Sequence, residues 1–118
     1  MPELLDQRYF DAALPNRVAV ARRILRPLAL LLLEPHGDAG AVVLETLRES
    51  DTACRLDDGT IALLLEDTPE DGAVSKVERL RELLPGVRAG YACYPADALD
   101  AADLLAMAKQ RSASVPNA

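Results

Sequence analysis

The first quarter of the chain contains two stretches in which apolar residues recur at helical spacing. Residues 3–13 predict a short amphipathic helix, and the helical spacing resumes over residues 18–25. The segment Leu14–Arg17 separates them and contains Pro15, which interrupts a helix because proline has no backbone N–H to donate. The pattern therefore predicts an N-terminal helical segment over residues 1–26, made either of two helices or of one kinked helix.

An uninterrupted apolar run follows this segment. It is Leu28–Leu33, bounded by Pro27 and Pro35. A run this short and this apolar is typical of a strand buried on both faces of a sheet. Asp38 is then expected to cap a helix that ends near Glu49, because an aspartate side chain accepts hydrogen bonds from the free N–H groups of a first helical turn.

The second half of the chain begins with a predicted hairpin. Two strand-like runs, residues 52–56 and 60–65, flank Asp57-Asp58-Gly59, and an Asp-Gly pair suits a tight turn because glycine readily adopts positive φ. A helix is then expected with Thr68 as N-cap and Pro69 at its first position, ending near Leu84. It is followed by a strand over Val87–Tyr94 and a last helix that has Asp97 as N-cap and carries Leu99. A frayed tail is expected over 112–118.

The core elements have the order β-α-β-β-α-β. Layer rules then place helices on one face of a mostly antiparallel sheet. The expected fold class is therefore α+β, with a ferredoxin-like core, N-terminal helices and an extra C-terminal helix. Because 118 residues suffice for one hydrophobic core, residues 1–118 are expected to form a single domain.

Charge and composition argue against several partners. The formal net charge is −6, so no nucleic acid and no membrane is expected as a partner, because both anionic surfaces attract basic proteins. The longest apolar run is too short to span a bilayer and no signal-peptide pattern is present, so a cytoplasmic location is expected. Cys54 and Cys93 have no metal-site spacing and only His36 accompanies them, so we expect buried structural thiols and no cofactor.

Five segments carry a resemblance to a known family. They are Leu14-Pro15-Asn16-Arg17, Arg55-Leu56, Ala62–Leu65, Arg88–Pro95 and the helical segment around Leu104-Leu105. Their order, and the ungapped spacing around the predicted hairpin, resemble a GGDEF domain, the domain of diguanylate cyclases. The first segment resembles the family's LPNR sequence, the next two its signature hairpin strands, and the fourth its late strand. The resemblance covers nearly the whole chain and implies the same α+β fold.

The family's signature, Gly-Gly-Asp-Glu-Phe, falls on Asp57-Asp58-Gly59-Thr60-Ile61. The resemblance implies that the glycines let the backbone approach GTP and that the third residue holds magnesium, whereas this chain has two carboxylates followed by glycine. A carboxylate about 4 Å from a phosphate charge costs roughly 1 kcal/mol in water and about 4 kcal/mol at an intermediate dielectric. We therefore expect no cyclase activity.

A second departure precedes the second helix. Residues 33–38 run directly into that helix, so the family's metal aspartate and its guanine-reading stretch have no counterpart. Glu34 stands near the metal position, which leaves open a cation site made of Glu34, Asp57 and Asp58, since such cations prefer oxygen ligands. The favoured alternative is that the aspartates serve only the turn, with no metal bound.

Arg48-Glu49-Ser50-Asp51 matches the family's inhibitory site for cyclic di-GMP, an Arg-x-x-Asp just before the signature hairpin. Ungapped counting from the signature puts Arg79 where the family has a second arginine. The resemblance implies that Arg48 donates to guanine O6 and N7, that Asp51 accepts from guanine N1 and N2, and that Arg79 reaches guanine or a phosphate.

The same three residues also have an ordinary structural interpretation. Arg48 would lie near a helix C-terminus, where a cation is favourable, and Asp51 would be a turn residue. Arg79 would pair with Glu78 or Glu82 at the surface.

Two functions follow from these alternatives. The first is a catalytically inactive GGDEF-like regulatory domain that binds cyclic di-GMP through the inhibitory-type site. The second is a scaffold that forms a homodimer or docks a protein partner without nucleotide. Residual cyclase activity is a third function, against which the replaced signature and the missing segment argue.

Overall fold

A computed structural model of the protein describes residues 3–34 and 39–113. Within these ranges, no helix is long and apolar enough to cross a membrane. The elements are β1 (Leu4–Leu5), α1 (Gln7–Ile24), β2 (Leu28–Leu33), α2 (Ala39–Glu45), β3 (Thr52–Arg55), β4 (Ile61–Glu66), α3 (Glu70–Leu83), β5 (Ala89–Tyr94) and α4 (Ala101–Ala113).

The strands form a sheet in the order β1-β3-β4-β2-β5. β2 pairs antiparallel with β4 and with β5, and β3 pairs antiparallel with β4. The order of these four strands is that of a ferredoxin-like fold, so the predicted α+β class and β-α-β-β-α-β core are confirmed. β1 adds a parallel pair with β3, which makes the sheet mixed.

Helices cover both faces of the sheet, so the expectation of helices on one face was wrong. α1 and α4 pack in one apolar layer, and α2 and α3 pack in the other. The reason lies in β2, whose residues are all buried and alternate between the two layers. A strand that is apolar on both faces must be covered on both sides.

The N-terminal helix begins later than predicted and is continuous. Leu4 and Leu5 form β1 and pair with β3, so the helix predicted from residue 3 was wrong at its start. Asp6 caps α1, because its Oδ1 accepts a hydrogen bond from Tyr9 N at 2.9 Å. α1 then includes Pro15 without ending there, so the structure has one helix rather than two.

The last helix also begins later than predicted. Asp100, rather than Asp97, caps α4, since its Oδ1 accepts a hydrogen bond from Asp103 N at 2.8 Å. Asp97 is instead held by Arg111, which donates to its two carboxylate oxygens at 2.9 and 3.0 Å. Leu99, expected within the helix, lies before α4 and is 63% exposed.

The predicted frayed tail was wrong at its start, because Ser112 is a buried residue of α4. The helix lies directly against β5 at Gly90, where a Cβ would be 2.2 Å from Ser112 N and 2.4 Å from Ala108 O. This close approach holds the last turns of α4 on the sheet. Residues 114–118 lie outside the described part of the chain.

Two further boundaries differ from the prediction. α2 ends at Glu45 instead of near Glu49, because the chain turns there towards β3. β5 begins at Ala89 rather than at Val87. The expected helix cap Asp38 lies outside the described residues.

Candidate ligand-binding site

The segment between α2 and β3 contains a tight turn that Arg48 and Asp51 close in both directions. Asp51 N donates to Arg48 O at 3.0 Å, and Arg48 N donates to Asp51 Oδ2 at 3.0 Å. Aspartate suits this position because its short side chain accepts hydrogen bonds from the backbone of a turn. The turn therefore fixes the two residues relative to each other.

The Arg48 side chain is held by several acceptors. Its Nε and Nη2 donate to Asp51 Oδ2 and Oδ1 at 3.3 and 3.1 Å. Its Nη2 also donates to Glu66 O at 2.9 Å and to Thr68 Oγ1 at 3.0 Å. The hydrogen bond to Asp51 and the attraction of its charge raise the pKa of Arg48, so the guanidinium stays charged.

Arg48 and Asp51 differ in their access to solvent. The Arg48 side chain is 58% exposed, whereas that of Asp51 is 2% exposed. Among the described residues, no hydrogen bond uses Nη1 of Arg48. Arg48 therefore offers free donors to a ligand, while Asp51 has both carboxylate oxygens engaged and holds the arginine in place.

Thr68 takes part in this arrangement instead of capping α3, so the predicted N-cap was wrong. Pro69 is the N-cap of α3, and no side chain caps that end. The Thr68 hydroxyl donates to Glu66 O at 3.0 Å and accepts from Arg48 Nη2. The loop before α3 is thereby attached to the turn before β3.

Arg79 lies on α3 and is 62% exposed. Its Nη1 lies 3.7 Å from Glu82 Oε2, the surface partner that the structural interpretation suggested. Both side chains are largely in water, and exposed pairs of this kind contribute at most about 1 kcal/mol. A ligand can therefore recruit Arg79 at little cost.

Arg48, Asp51 and Arg79 line one hollow of about 390 Å³. It lies where the α2–β3 segment faces α3. Its other lining residues are Thr46, Leu65, Thr68, Gly72, Ser75 and Lys76. The structure thus brings the three predicted residues to one surface, with three cationic side chains around a single buried carboxylate.

Lys76 also lines the hollow and was not among the residues predicted from the sequence. Its Nζ donates to Thr46 O at 2.6 Å. Burial lowers its pKa, and the charges of Arg48 and Arg79 lower it further, while Asp51 opposes the change. Its spacing three residues before Arg79 on a helix, which puts two residues on one face, was the signal that could have found it.

The predicted hairpin between β3 and β4 is present. Leu56 N donates to Thr60 O at 2.8 Å, and Gly59 has φ of 90°, a conformation that glycine adopts readily. Asp58 Oδ1 accepts from Thr60 N at 2.9 Å, and this hydrogen bond lowers the pKa of Asp58. Asp57 N donates to the Gln7 side chain of α1 at 3.1 Å.

The architecture closely matches several solved structures. The GGDEF domain of YfiN from Pseudomonas aeruginosa superposes with a TM-score of 0.79 and 20% sequence identity, over 92% of this chain and 82% of that chain. The GGDEF domain of FimX from Pseudomonas aeruginosa gives a TM-score of 0.80 at 16% identity, over 92% and 86% of the two chains. The GGDEF domain of DgcB from Caulobacter crescentus, solved in complex with cyclic di-GMP, gives 0.80 at 14% identity, over 94% and 82%. The chain has the fold of a GGDEF domain. No protein-family model and no curated protein sequence matches it.

In this GGDEF fold, Glu34, Asp57 and Asp58 do not form the cation site that the sequence left open. Glu34 Oε1 lies 3.6 Å from Arg88 Nη1. Among the described residues, no three or more acidic, histidine or cysteine side chains lie close enough together to hold a metal ion. Glu34, Asp57 and Asp58 therefore do not form such a group. Asp58 instead accepts a hydrogen bond within the turn, as the interpretation of the aspartates as turn residues expected.

The cysteines are structural, as predicted. Cys54 lies in the layer with α1 and α4, and Cys93 lies in the layer with α2 and α3. Both are free thiols, and burial raises the pKa of Cys54 to about 11 and that of Cys93 to about 12. A thiol is a poor nucleophile when its pKa is this high. His36 lies outside the described residues.

Proposed function

We propose that the chain is a catalytically inactive GGDEF-like regulatory domain that binds cyclic di-GMP through Arg48, Asp51 and Arg79. The observation that carries the proposal is the convergence of these residues on one hollow. Two of them are arginines with accessible donors, on a chain whose net charge is −6. A local excess of positive charge on an acidic protein favours an anionic ligand.

Each residue then has a distinct role. The free Nη1 of Arg48, with its planar guanidinium, can donate to guanine acceptors or stack on the base. Asp51 positions that guanidinium, because its carboxylate oxygens already accept from Arg48. A guanine N–H contact to Asp51 would require Arg48 to move aside. Arg79 leaves its weak contact with Glu82 and pairs with a phosphate or guanine oxygen.

The proposed loss of catalysis rests on the hairpin sequence. Asp57 and Asp58 stand where phosphate-binding backbone is expected, and Asp58 is held by Thr60 N in its charged form. Two carboxylates repel a triphosphate. The DgcB domain, solved with cyclic di-GMP, has the same fold and supports the choice of ligand.

Titration calorimetry with cyclic di-GMP tests binding. We expect saturable heat with the wild-type chain and none with Arg48→Ala. Arg23→Ala is the matched control, because Arg23 is an exposed arginine of α1 that does not line the hollow. Absence of binding to the wild type, or equal loss in the control, would contradict the proposal. Conversion of GTP to cyclic di-GMP by the wild type would contradict catalytic inactivity.

A scaffold function is the second candidate, and an exposed apolar pair favours it. Ile24 and Leu25, at the end of α1, are 55% and 87% exposed. Such a pair can contribute to a contact between chains. Sedimentation analysis over a range of concentrations, with Leu25→Ser as the variant, separates this function from the first. A concentration-dependent dimer that Leu25→Ser disrupts, together with no heat from cyclic di-GMP, would favour the scaffold.

A further inference from the structure

We infer that Lys76 is a further ligand-contacting residue, which binds a phosphate group of the ligand in the hollow lined by Arg48 and Arg79. This inference rests on the proposed function and adds a residue that the resemblance does not supply. The inference also assigns different parts of the ligand to different side chains: Lys76 contacts the charged phosphate and Arg48 contacts the planar base.

Position is the first argument. Lys76 precedes Arg79 by three residues on α3, and residues at this spacing lie on the same face of a helix. Both line the hollow, as does Ser75, whose hydroxyl is a small neutral donor. The α3 side of the hollow therefore presents donors next to one another, with little bulk between them.

Unbalanced charge is the second argument. The Lys76 ammonium has three donors and gives one of them to the carbonyl oxygen of Thr46. Its nitrogen forms no salt bridge with any described carboxylate, and the nearby carboxylate of Asp51 already accepts from Arg48. The charge of Asp51 favours the ammonium but does not outweigh its burial, so an incoming anion is favourable beside this half-buried cation.

The chemistry of the head group is the third argument. An ammonium is a compact point charge with donors only, which suits a phosphodiester oxygen, whereas a planar guanidinium suits the edge or face of a base. Burial and the two neighbouring arginines already disfavour the charge on Lys76. The negative charge of a phosphate would offset both effects, whereas a neutral base edge has no charge with which to offset them.

The composition of the chain makes the inference easy to test. Of its thirteen lysine and arginine residues, only Lys76 and Lys109 are lysines. Lys109 lies on α4 and does not line the hollow, so it is an internal control. In wild-type protein carrying ¹³C-labelled lysine, we expect cyclic di-GMP to shift the ε-methylene signal of Lys76 and to leave that of Lys109 in place.

Calorimetry provides the second readout. Lys76→Met keeps the length of the side chain without its charge, and we expect cyclic di-GMP binding about tenfold weaker, because a hydrogen bond to a charged group contributes about that much. Lys76→Arg should recover most of the affinity. The ³¹P shift that the wild type induces in the ligand should shrink with Lys76→Met.

The outcomes separate this inference from the proposed function. Wild-type affinity in Lys76→Met, with binding still lost in Arg48→Ala, would overturn the inference and leave the function standing. An unshifted Lys76 signal at saturation would overturn it even if Lys76→Met does not fold. A wild-type chain that does not bind cyclic di-GMP would overturn both.

Discussion

Asp51→Asn is expected to weaken ligand binding by releasing Arg48. The carboxylate accepts from Arg48 N, Nε and Nη2, and an amide of the same shape keeps one acceptor and turns an NH₂ group towards these donors. Hydrogen bonds to charged groups contribute about 1.5 to 3 kcal/mol. The Arg48 side chain is 58% exposed, so water replaces part of the loss, and we expect destabilisation of about 1 to 2 kcal/mol.

The effect on binding follows from side-chain entropy. A free arginine head group must be ordered again by the ligand, which costs up to about 2 kcal/mol. The dissociation constant for cyclic di-GMP should therefore rise about tenfold. Urea unfolding measures the stability, and a calorimetric titration carried to saturation measures the affinity.

A second arginine–aspartate pair provides the matched control. Arg111 donates to both carboxylate oxygens of Asp97 at 2.9 and 3.0 Å, and neither residue lines the hollow of Arg48. Asp97→Asn should lower stability at least as much as Asp51→Asn, because Arg111 is less exposed, at 34%. Binding should be unchanged. If both variants weaken binding equally, the effect comes from general destabilisation and the reasoning about Arg48 is refuted.

Two further predictions concern stability, and a third concerns the accessibility of the thiols. Gly90→Ala should lower the free energy of unfolding in urea by about 1 to 3 kcal/mol, because a Cβ there would lie 2.2 Å from the backbone of α4. Gly86→Ala should lower it less, because a Cβ at Gly86 meets open space and only the φ of 85° is strained. Equal losses would refute the steric argument. The hydrogen bond from Arg111 is the main cause that lowers the pKa of Asp97. The ionised carboxylate therefore stabilises the fold above the ordinary aspartate pKa of about 3.9, and this stabilisation is lost as the pH falls from there through the lowered pKa. Asp97→Asn should reduce the fall in the urea midpoint between pH 5 and pH 3. The thiols of Cys54 and Cys93 should react with a disulfide reagent only after unfolding, and fast labelling of the folded chain would contradict their burial.

The sheet was predictable because its apolar patterns have few alternatives. Leu28–Leu33 is apolar at every position and became the strand buried on both sides, and the Asp58-Gly59 pair marked the hairpin. The errors arose where long-range contacts decide. Leu4 and Leu5 fit a helical pattern but pair with β3, a partner almost fifty residues away in sequence.

The caps show the same limit. Thr68 and Asp97 both have the side chains that helix caps require, yet each binds an arginine from elsewhere in the fold. Arg48 donates a hydrogen bond to the hydroxyl of Thr68, and Arg111 donates to the carboxylate of Asp97. Local sequence records a residue's capacity to accept hydrogen bonds, and the tertiary fold decides which donor it meets.

For the candidate site, Arg48, Asp51 and Arg79 were predicted from their positions relative to the family's motifs, and their side chains line one hollow. The sequence could not indicate that Asp51 would be 2% exposed and already engaged, since that depends on how the turn folds back on itself. Nor did it single out Lys76. One lysine on an amphipathic helix is usually a solvent-facing residue, and its half-buried position depends on the approach of Thr46.

Separation in space explains how the proposed site could work beside a hairpin that we propose does not bind GTP. β3 leads from the turn at Asp51 to the hairpin at Asp57, six residues that span roughly 20 Å at the rise of a strand. The screening length at physiological ionic strength is about 8 Å. Asp57 and Asp58 therefore exert little repulsion on an anion beside Arg48, Lys76 or Arg79. Carboxylates at one end of β3 can exclude a triphosphate while the cationic hollow at the other end still attracts a phosphodiester.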